Sequence, residues 1–334
     1  MKAVITGATG HVGVNLAKNL LAGGHDVRAI IRKDMRGLEG LGVETASADV
    51  RDRESLRAAF RGCDVVFHVA AQISITGSDR ADVFATNLEG TRNVMAAFRD
   101  CGARRLVHFS SIEALNPRPL DTPLDEKRGF VGNGDGSPYA HSKAQAEAEV
   151  RRAMAEGLDA VIINPTAIIG PNDWKPSLLG SAVVAIAKGS YPMLIEGGFD
   201  WVDVRDVAEA AVCAAQSAPA GSRYIVGGHW ASMADLAGLV CAVSGARPPR
   251  MMCPFPVAQA WAPVSTAFCR LTGRAPLFTS YTLKVLRGNH SVSHERATRE
   301  LGYHPRELAR SVRDTCLWFQ EKGLLTSRRV ARED

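Results

Sequence analysis

The chain has 334 residues, with 40 Lys plus Arg against 35 Asp plus Glu, 46% hydrophobic residues and 31 Gly. That hydrophobicity at a net charge of +5 excludes a disordered chain, and neither glycine nor charge carries the period of a collagen or a coiled coil. A balance this small argues against nucleic acid as a partner, and no apolar run reaches the roughly 18 residues of a membrane span; the longest tract, Met251 to Val264, reads as broken by Pro254, Pro256 and Pro263.

In chain order, the first strand spans Ala3 to Thr6, leaving no room for a signal peptide. Thr6-Gly7-Ala8-Thr9-Gly10-His11-Val12-Gly13 follows it directly and opens a helix over 11–23. In such a turn Gly7 permits the tight bend, Gly10 lets backbone approach a pyrophosphate and Gly13 allows helix and strand to pack closely, while the helix N-terminus attracts phosphate charge. The spacing is G-x-x-G-x-x-G, not the G-x-G-x-x-G of the standard dinucleotide fingerprint. A second strand, Val27 to Ile31, ends at Arg32-Lys33, where an acid would favour NAD and a base accommodates the extra phosphate of NADP. NADP(H) is the expected cofactor and NAD the less favoured one; the competing reading is two basic residues solvating a turn, with Asp34 beside them.

A third strand, Val43 to Ser47, leads to Asp49-Val50, placed to read an adenine amine unless Asp49 serves as a cap for the helix over 53–61. Strand Val65 to Val69, a helix over 80–100, strand Leu106 to Ser110, a helix over 139–156 and strand Ala160 to Ile163 continue the alternation. This is the pattern of an α/β, doubly wound parallel sheet, a Rossmann fold, with ligands at the carboxyl ends of its strands. The Pro- and Gly-rich stretch from Asn116 to Ser137 is long enough for a mobile flap or a disordered loop. After it, Tyr139-Ala140-His141-Ser142-Lys143 puts a phenol and an ammonium on one helix face, where a cation would lower the tyrosine pKa from about 10. Ser110-Ser111 supplies hydroxyls beside the same crevice. His68 and His141 lack a partner at ligand spacing and read as structural, and no metal is expected. Asp203 and Asp206 read as first-turn acids of a helix over Val204 to Gln216, which precedes a strand Arg223 to Val226.

Together TGATGHVG (6–13), DVRD (49–52), VFHVAA (66–71), NLEGT (87–91), SS (110–111), YAHSK (139–143), NPTAIIGP (164–171) and VDVRDVAEA (202–210) resemble the extended short-chain dehydrogenase/reductase family, within the NAD-dependent epimerase/dehydratase superfamily. VFHVAA and Arg32 look most like its dihydroflavonol-reductase-like branch, which includes hydroxysteroid dehydrogenases. The resemblance implies that Tyr139 protonates a carbonyl oxygen and that Ser111 polarises it, with Ser110 hydrogen-bonding backbone instead. Lys143 would lower the Tyr139 pKa and hold the nicotinamide ribose, and Ala70, Ala71, Asn87, Pro165 and Thr166 would line the cofactor. Dimers are common in the family, and no residue pattern marks an interface.

The branches of the family differ in substrate. Nucleotide-sugar epimerases and dehydratases typically carry an arginine shortly before the V-x-D-V segment, to pair with a diphosphate; that position here is Phe199, with Arg205, Lys175 or Arg223 as possible substitutes. An NADPH-dependent reductase of a hydrophobic ketone, reversible as an alcohol dehydrogenase, is therefore expected, with a nucleotide-sugar epimerase or dehydratase as the alternative and an NADP-sensing regulator as a minor one. The domain expectation is a dinucleotide-binding domain over 1–170 with returns near 200–228, a substrate lobe over 171–199 and 229–325, and a charged tail over 326–334. Between Asp235 and Glu295 lie 59 residues without an acid but with Arg247, Arg250, Arg270, Arg274, Lys284 and Arg287. Among them are Met251, Met252, Phe255, Trp261, Phe268, Leu277, Phe278 and Tyr281. Such a segment suits an apolar, anionic substrate such as a keto acid or acyl thioester; a packed lobe with solvated arginines and a peripheral contact with anionic lipid are the other readings. Seven irregularly spaced cysteines without a CxxC pair suggest a reducing, cytoplasmic setting.

Overall fold

The alternation of short β-rich runs with amphipathic stretches folds as a layered α/β structure. The computed structural model describes residues 1–32, 34–74, 79–132, 134–191, 193–249, 251–272 and 279–325, without the side chains of 265–272. Lys33, Arg250, Arg274, Leu277, Phe278, the side chains of Phe268 and Arg270, and the tail 326–334 thus lie outside the described residues.

The first half runs β1 (Lys2–Thr6), α1 (His11–Ala22), β2 (Asp26–Ile31), β3 (Glu44–Ser47), α2 (Arg53–Ala59), β4 (Val65–His68), α3 (Arg80–Phe84), α4 (Gly90–Cys101), β5 (Arg105–Phe109), α5 (Pro138–Ala155), β6 (Ala160–Pro165) and β7 (Ala167–Ile169). The second runs α6 (Leu178–Ala187), β8 (Met193–Ile195), β9 (Gly198–Asp203), α7 (Val204–Ser217), β10 (Arg223–Val226), β11 (His229–Ser232), α8 (Met233–Ser244), β12 (Met251–Cys253), α9 (Phe255–Thr272), α10 (Ser280–Leu286), α11 (Glu295–Leu301) and α12 (Leu308–Glu321).

Seven parallel strands pair in the order β10-β6-β5-β4-β1-β2-β3. The order reverses between β1 and β4, the switch point at which such sheets hold ligands. Because both faces are covered, strand residues alternate between two cores: Ile5, Phe67 and Val107 meet α1 and α7, whereas Val4, Val66 and Leu106 meet α2, α4 and α5. The helix expected over 80–100 is interrupted by a π-turn at Ala85–Glu89, which carries Asn87. Within 200–228, α7 and β10 join the large sheet, while β9 pairs with β7 and β11 in a separate three-stranded sheet. β8 and β12 form a two-stranded one.

Two expectations need correction. The expected break of 251–264 holds at one proline of three: Pro254 separates β12 from α9, but Pro256 falls in the first turn of α9, where its missing N–H has no partner to lose, and the helix continues through Pro263. The 116–137 segment is anchored, not a free flap. Leu115 bridges Phe130, Leu124 bridges Val292, Asn289 donates to the Pro119 and Thr122 carbonyls, and buried Arg223 donates to those of Glu126 and Arg128.

Gly13 shows how tightly the first turn is built. A Cβ there would lie 2.2 Å from the Gly7 oxygen and 2.7 Å from Ala8 Cα, backbone atoms that cannot step aside. Gly13→Ala should destabilise the chain by about 1–3 kcal/mol, read as a lowered midpoint in urea unfolding.

Candidate active site

Parallel strands deliver their following loops to one edge, and that edge gathers the residues singled out from the sequence. Gly7, at φ +71°, passes so close to β4 that a Cβ would sit 2.7 Å from the Ala70 backbone. The Thr6 hydroxyl accepts from Ala70 N at 3.3 Å, while Gly10 N closes the turn on Gly7 O at 3.0 Å. No side chain caps the start of α1, and a Cβ at exposed Gly10 would meet only Gly7 O, at 3.3 Å. Thr9, Gly10 and Val12 therefore surround open backbone N–H groups at a helix N-terminus, a surface that fits a diphosphate. The His11 side chain does not face this surface: its Nε2 lies 3.2 and 3.1 Å from the carbonyls of Gly170 and Pro171, where burial lowers its pKa. Asn15 and Lys18, one and two helical turns on, bond Pro171 and Asn172 and hold the same junction.

At the next strand ends, Arg32 is exposed and makes no ion pair among the described residues, whereas Asp34 pairs with Arg36 and Lys175 at 2.8 Å each. Asp34 is thus drawn away from Arg32. Asp49 is not the cap of α2; Asp52 accepts from Glu54 N and Ser55 N in that role. Asp49 pairs instead with Arg51 at 2.8 Å, and that hydrogen bond brings its pKa down to about 2. The Val50 carbonyl accepts from Asn93 at 3.0 Å, and its side chain packs over Gly90.

Asn87 occupies the π-turn with its amide fully used: Oδ1 accepts from Gln72 N at 2.8 Å, and Nδ2 donates to Gln72 O at 3.0 Å and Ser142 Oγ at 2.9 Å. It ties the loop carrying Ala70 and Ala71 to the first turn of α5. Ser142 in turn donates to the Tyr139 carbonyl at 2.7 Å. His68 is structural, as its spacing suggested. The Thr6 hydroxyl lies 2.8 Å from its Nδ1 and the Thr91 hydroxyl 3.0 Å from its Nε2, and burial brings its pKa down to about 3, so the ring is neutral.

Tyr139 is half-buried at the start of α5, which Ser137 caps. Burial and the nearby Glu113 carboxylate push the Tyr139 pKa up, while a hydrogen bond with Ser111 acts in the opposite sense. Ser111 Oγ also accepts from Glu113 N at 3.2 Å. Lys143 is buried, and Nζ donates to Phe109 O at 2.6 Å. Burial brings its pKa down to about 8 against the opposing charge of Glu147. This corrects the expectation that Lys143 lowers the Tyr139 pKa: the ammonium is engaged on β5 and is not among the groups acting on the phenol. Nor does Ser110 hydrogen-bond backbone through its hydroxyl, which is buried without a partner among the described residues.

Behind Lys143 lies a buried network. Glu147, fully buried one helical turn on, accepts from Arg223 Nη1 at 2.9 Å and Asn164 Nδ2 at 2.8 Å, and the same Asn164 nitrogen donates to the Ser111 carbonyl at 3.0 Å. Pro165 and Thr166 follow at the end of β6, with Thr166 N donating to Val226 O at 3.3 Å. Sequence reasoning missed Glu113. It stands in the turn just after Ser111, burial raises its pKa, and Tyr281 of α10 donates a hydrogen bond to it. A carboxylate two residues beyond the serine pair was the available signal; its meaning depends on a tyrosine 168 positions away.

Residues 3–227 match the profile of the NAD dependent epimerase/dehydratase family. The chain is 35% identical to a protein named sterol demethylase protein B from Methylococcus capsulatus, over 97% of this chain and 100% of that one. It is 31% identical to a putative dihydroflavonol 4-reductase from Synechocystis, over 96% and 94%. The crystal structure of gox2253 superposes with a TM-score of 0.85 at 34% identity, covering 97% of this chain and 99% of that one. A doubly wound sheet, a glycine turn at its switch point, a tyrosine and lysine one helical turn apart and this pattern of relatives lead to one conclusion: the chain belongs to the NAD dependent epimerase/dehydratase family, among its extended short-chain dehydrogenases/reductases, and is an NAD(P)-dependent oxidoreductase of C=O and CH–OH groups.

Proposed function

We propose that the chain is an NADPH-dependent reductase of apolar ketones, reversible as an alcohol dehydrogenase, acting through Ser111, Tyr139 and Lys143. The observation that carries the substrate class is the commitment of the cations a nucleotide sugar would need. Arg205 pairs with Asp203 and Asp314 at 2.7 Å each, Lys175 with Asp34 at 2.8 Å, and Arg223 is buried on Glu147. Phe199, in the position where the epimerases carry arginine, packs edge-on against Trp201 at 5.2 Å. A diphosphate brought there would meet an aromatic ring, and the three cations considered for it are already paired, an expensive desolvation for a charged ligand. The names of two relatives mention a sterol and a dihydroflavonol, which are ring systems in keeping with an apolar ketone.

Cofactor choice rests on Arg32, with Asp34 diverted to Arg36 and Lys175. Lys33 belongs to the same reading. The glycine turn over Thr6–Gly13 would hold the diphosphate through backbone N–H groups, with Asp49 and Val50 toward the adenine and Ala70, Ala71, Asn87, Pro165 and Thr166 along the remainder. A bound nicotinamide dinucleotide supplies the hydride. Ser111 donates a hydrogen bond to the carbonyl oxygen, and the Tyr139 hydroxyl gives that oxygen its proton as the carbon is reduced. Lys143, held on Phe109 O, would orient the ribose of the bound dinucleotide. The raised pKa of Tyr139 keeps the phenol protonated and ready to donate at neutral pH.

A panel of aliphatic keto acids, steroid ketones and nucleotide sugars followed by NADPH absorbance tests the reading. Turnover is expected with apolar ketones, and turnover confined to nucleotide sugars would contradict it. Arg32→Asp should raise the NADPH KM roughly 10- to 100-fold and improve NADH, the size of one lost charge-assisted contact to a phosphate; an unchanged KM would remove Arg32 from cofactor selection. Tyr139→Phe should lower kcat by about 10²- to 10⁴-fold with NADPH binding nearly intact in a fluorescence titration. Glu113→Gln removes a negative charge that raises the Tyr139 pKa, so the phenolate forms more easily. In the oxidation direction, which needs that phenolate, the rising limb of the pH–rate profile should move toward lower pH.

A further inference from the structure

α9 is built inside out for a helix on a protein surface. Ala258 and Ala262 are buried in a small apolar cluster with Leu283 and Leu286 of α10. On its other side Val257, Trp261 and Val264, spaced four and three apart, are 57, 61 and 52% exposed. The strand leading into it, β12, exposes Met251 and Met252. Isolated apolar residues on a surface need no explanation, but a contiguous face of this kind marks an interaction site.

Charge selects the occupant. From Met251 to Cys269 the sequence has no charged residue; Arg250 precedes this stretch, and Arg270 and Arg274 follow it. Among the described residues of the same acid-free segment, Arg247 and Lys284 are exposed and make no ion pair, while Arg287 covers the Phe255 ring at 3.8 Å and is matched by Glu196 at 3.4 Å. A second copy of this chain docked face to face would oppose two segments of like charge, since residues 236–294 contain no acid and Glu196 is engaged on Arg287. A surface that is apolar within and negative at its rim is complementary, and an anionic bilayer is such a surface: acyl chains accept the valines and tryptophan, and headgroups attract the unpaired positive charge of Arg247 and Lys284.

We infer that the exposed face of α9, Val257, Trp261 and Val264, together with exposed Lys284 on the adjoining α10, docks the protein peripherally on anionic lipid membranes. The position suits the proposed reaction. α9 packs on α10, whose Tyr281 bonds Glu113 beside Tyr139, so the membrane face lies one helix from the site that would receive a lipid-soluble ketone. That functional link rests on the apolar-ketone reading; docking itself does not, and its test is independent of substrate.

The full chain is sedimented with vesicles of phosphatidylcholine alone and with added phosphatidylglycerol, over a salt series. Binding is expected to the mixed vesicles and to weaken as salt rises. Trp261→Glu and Val257→Glu should each reduce the bound fraction roughly tenfold or more, while activity on a water-soluble ketone is unchanged. Absence of binding to mixed vesicles, equal binding to neutral ones, or binding insensitive to both substitutions would overturn the proposal. So would a concentration-dependent dimer in light scattering that Trp261→Glu abolishes, because the face would then belong to a second copy.

Discussion

Glu147 is the buried charge on which the arrangement of the site depends. It is fully enclosed beneath α5 and accepts hydrogen bonds from Arg223 on β10 and Asn164 on β6, so one carboxylate joins a helix to two strands. Removing one partner from such a pair leaves an uncompensated buried charge, at a cost of about 3–5 kcal/mol. Its consequences reach outward in three directions. Arg223 directs its other terminal nitrogen at the carbonyls of Glu126 and Arg128 in the 116–137 segment. Asn164 fixes the backbone of Ser111. The carboxylate also stabilises the charge on Lys143 one turn away, against the burial that draws its pKa down to about 8.

That support lets the proton chemistry be divided among neighbouring groups. Lys143 faces Phe109 O, so the phenol of Tyr139 is governed by burial, Ser111 and Glu113. A carboxylate next to a tyrosine holds the proton on the phenol, and here burial acts in the same sense. The same turn that supplies Ser111 supplies Glu113, and Tyr281 reaches that carboxylate from the second half of the chain. α10 and the turn that carries Ser111 are therefore joined by the hydrogen bond from Tyr281 to Glu113.

Much of the fold was legible because it is written in local pattern. Strands buried on both faces leave unbroken Val and Ile runs, the glycine turn needs its residues at fixed spacing, and a helix sets Tyr139 and Lys143 on one face. What escaped depends on partners distant in sequence. Asp34 kept open the reading of a solvated basic turn at Arg32, and its ion pair with Lys175 joins residues far apart in sequence; the 116–137 loop looked free because its anchors, Arg223 and Asn289, lie more than a hundred residues beyond its start. Lys143 bonding β5 in place of the tyrosine, and α9 continuing through Pro263, are decided by packing against neighbours that no window of sequence contains.

A reductase ends each turnover with hydride in its product, whereas an epimerase returns it to the substrate. Supplying NADPH deuterated at the transferable C4 position with an apolar ketone, and reading the alcohol by mass spectrometry, separates the two most directly. The account predicts one deuterium per product molecule and stoichiometric consumption of NADPH; label that stays on the dinucleotide while a nucleotide sugar changes configuration would contradict it.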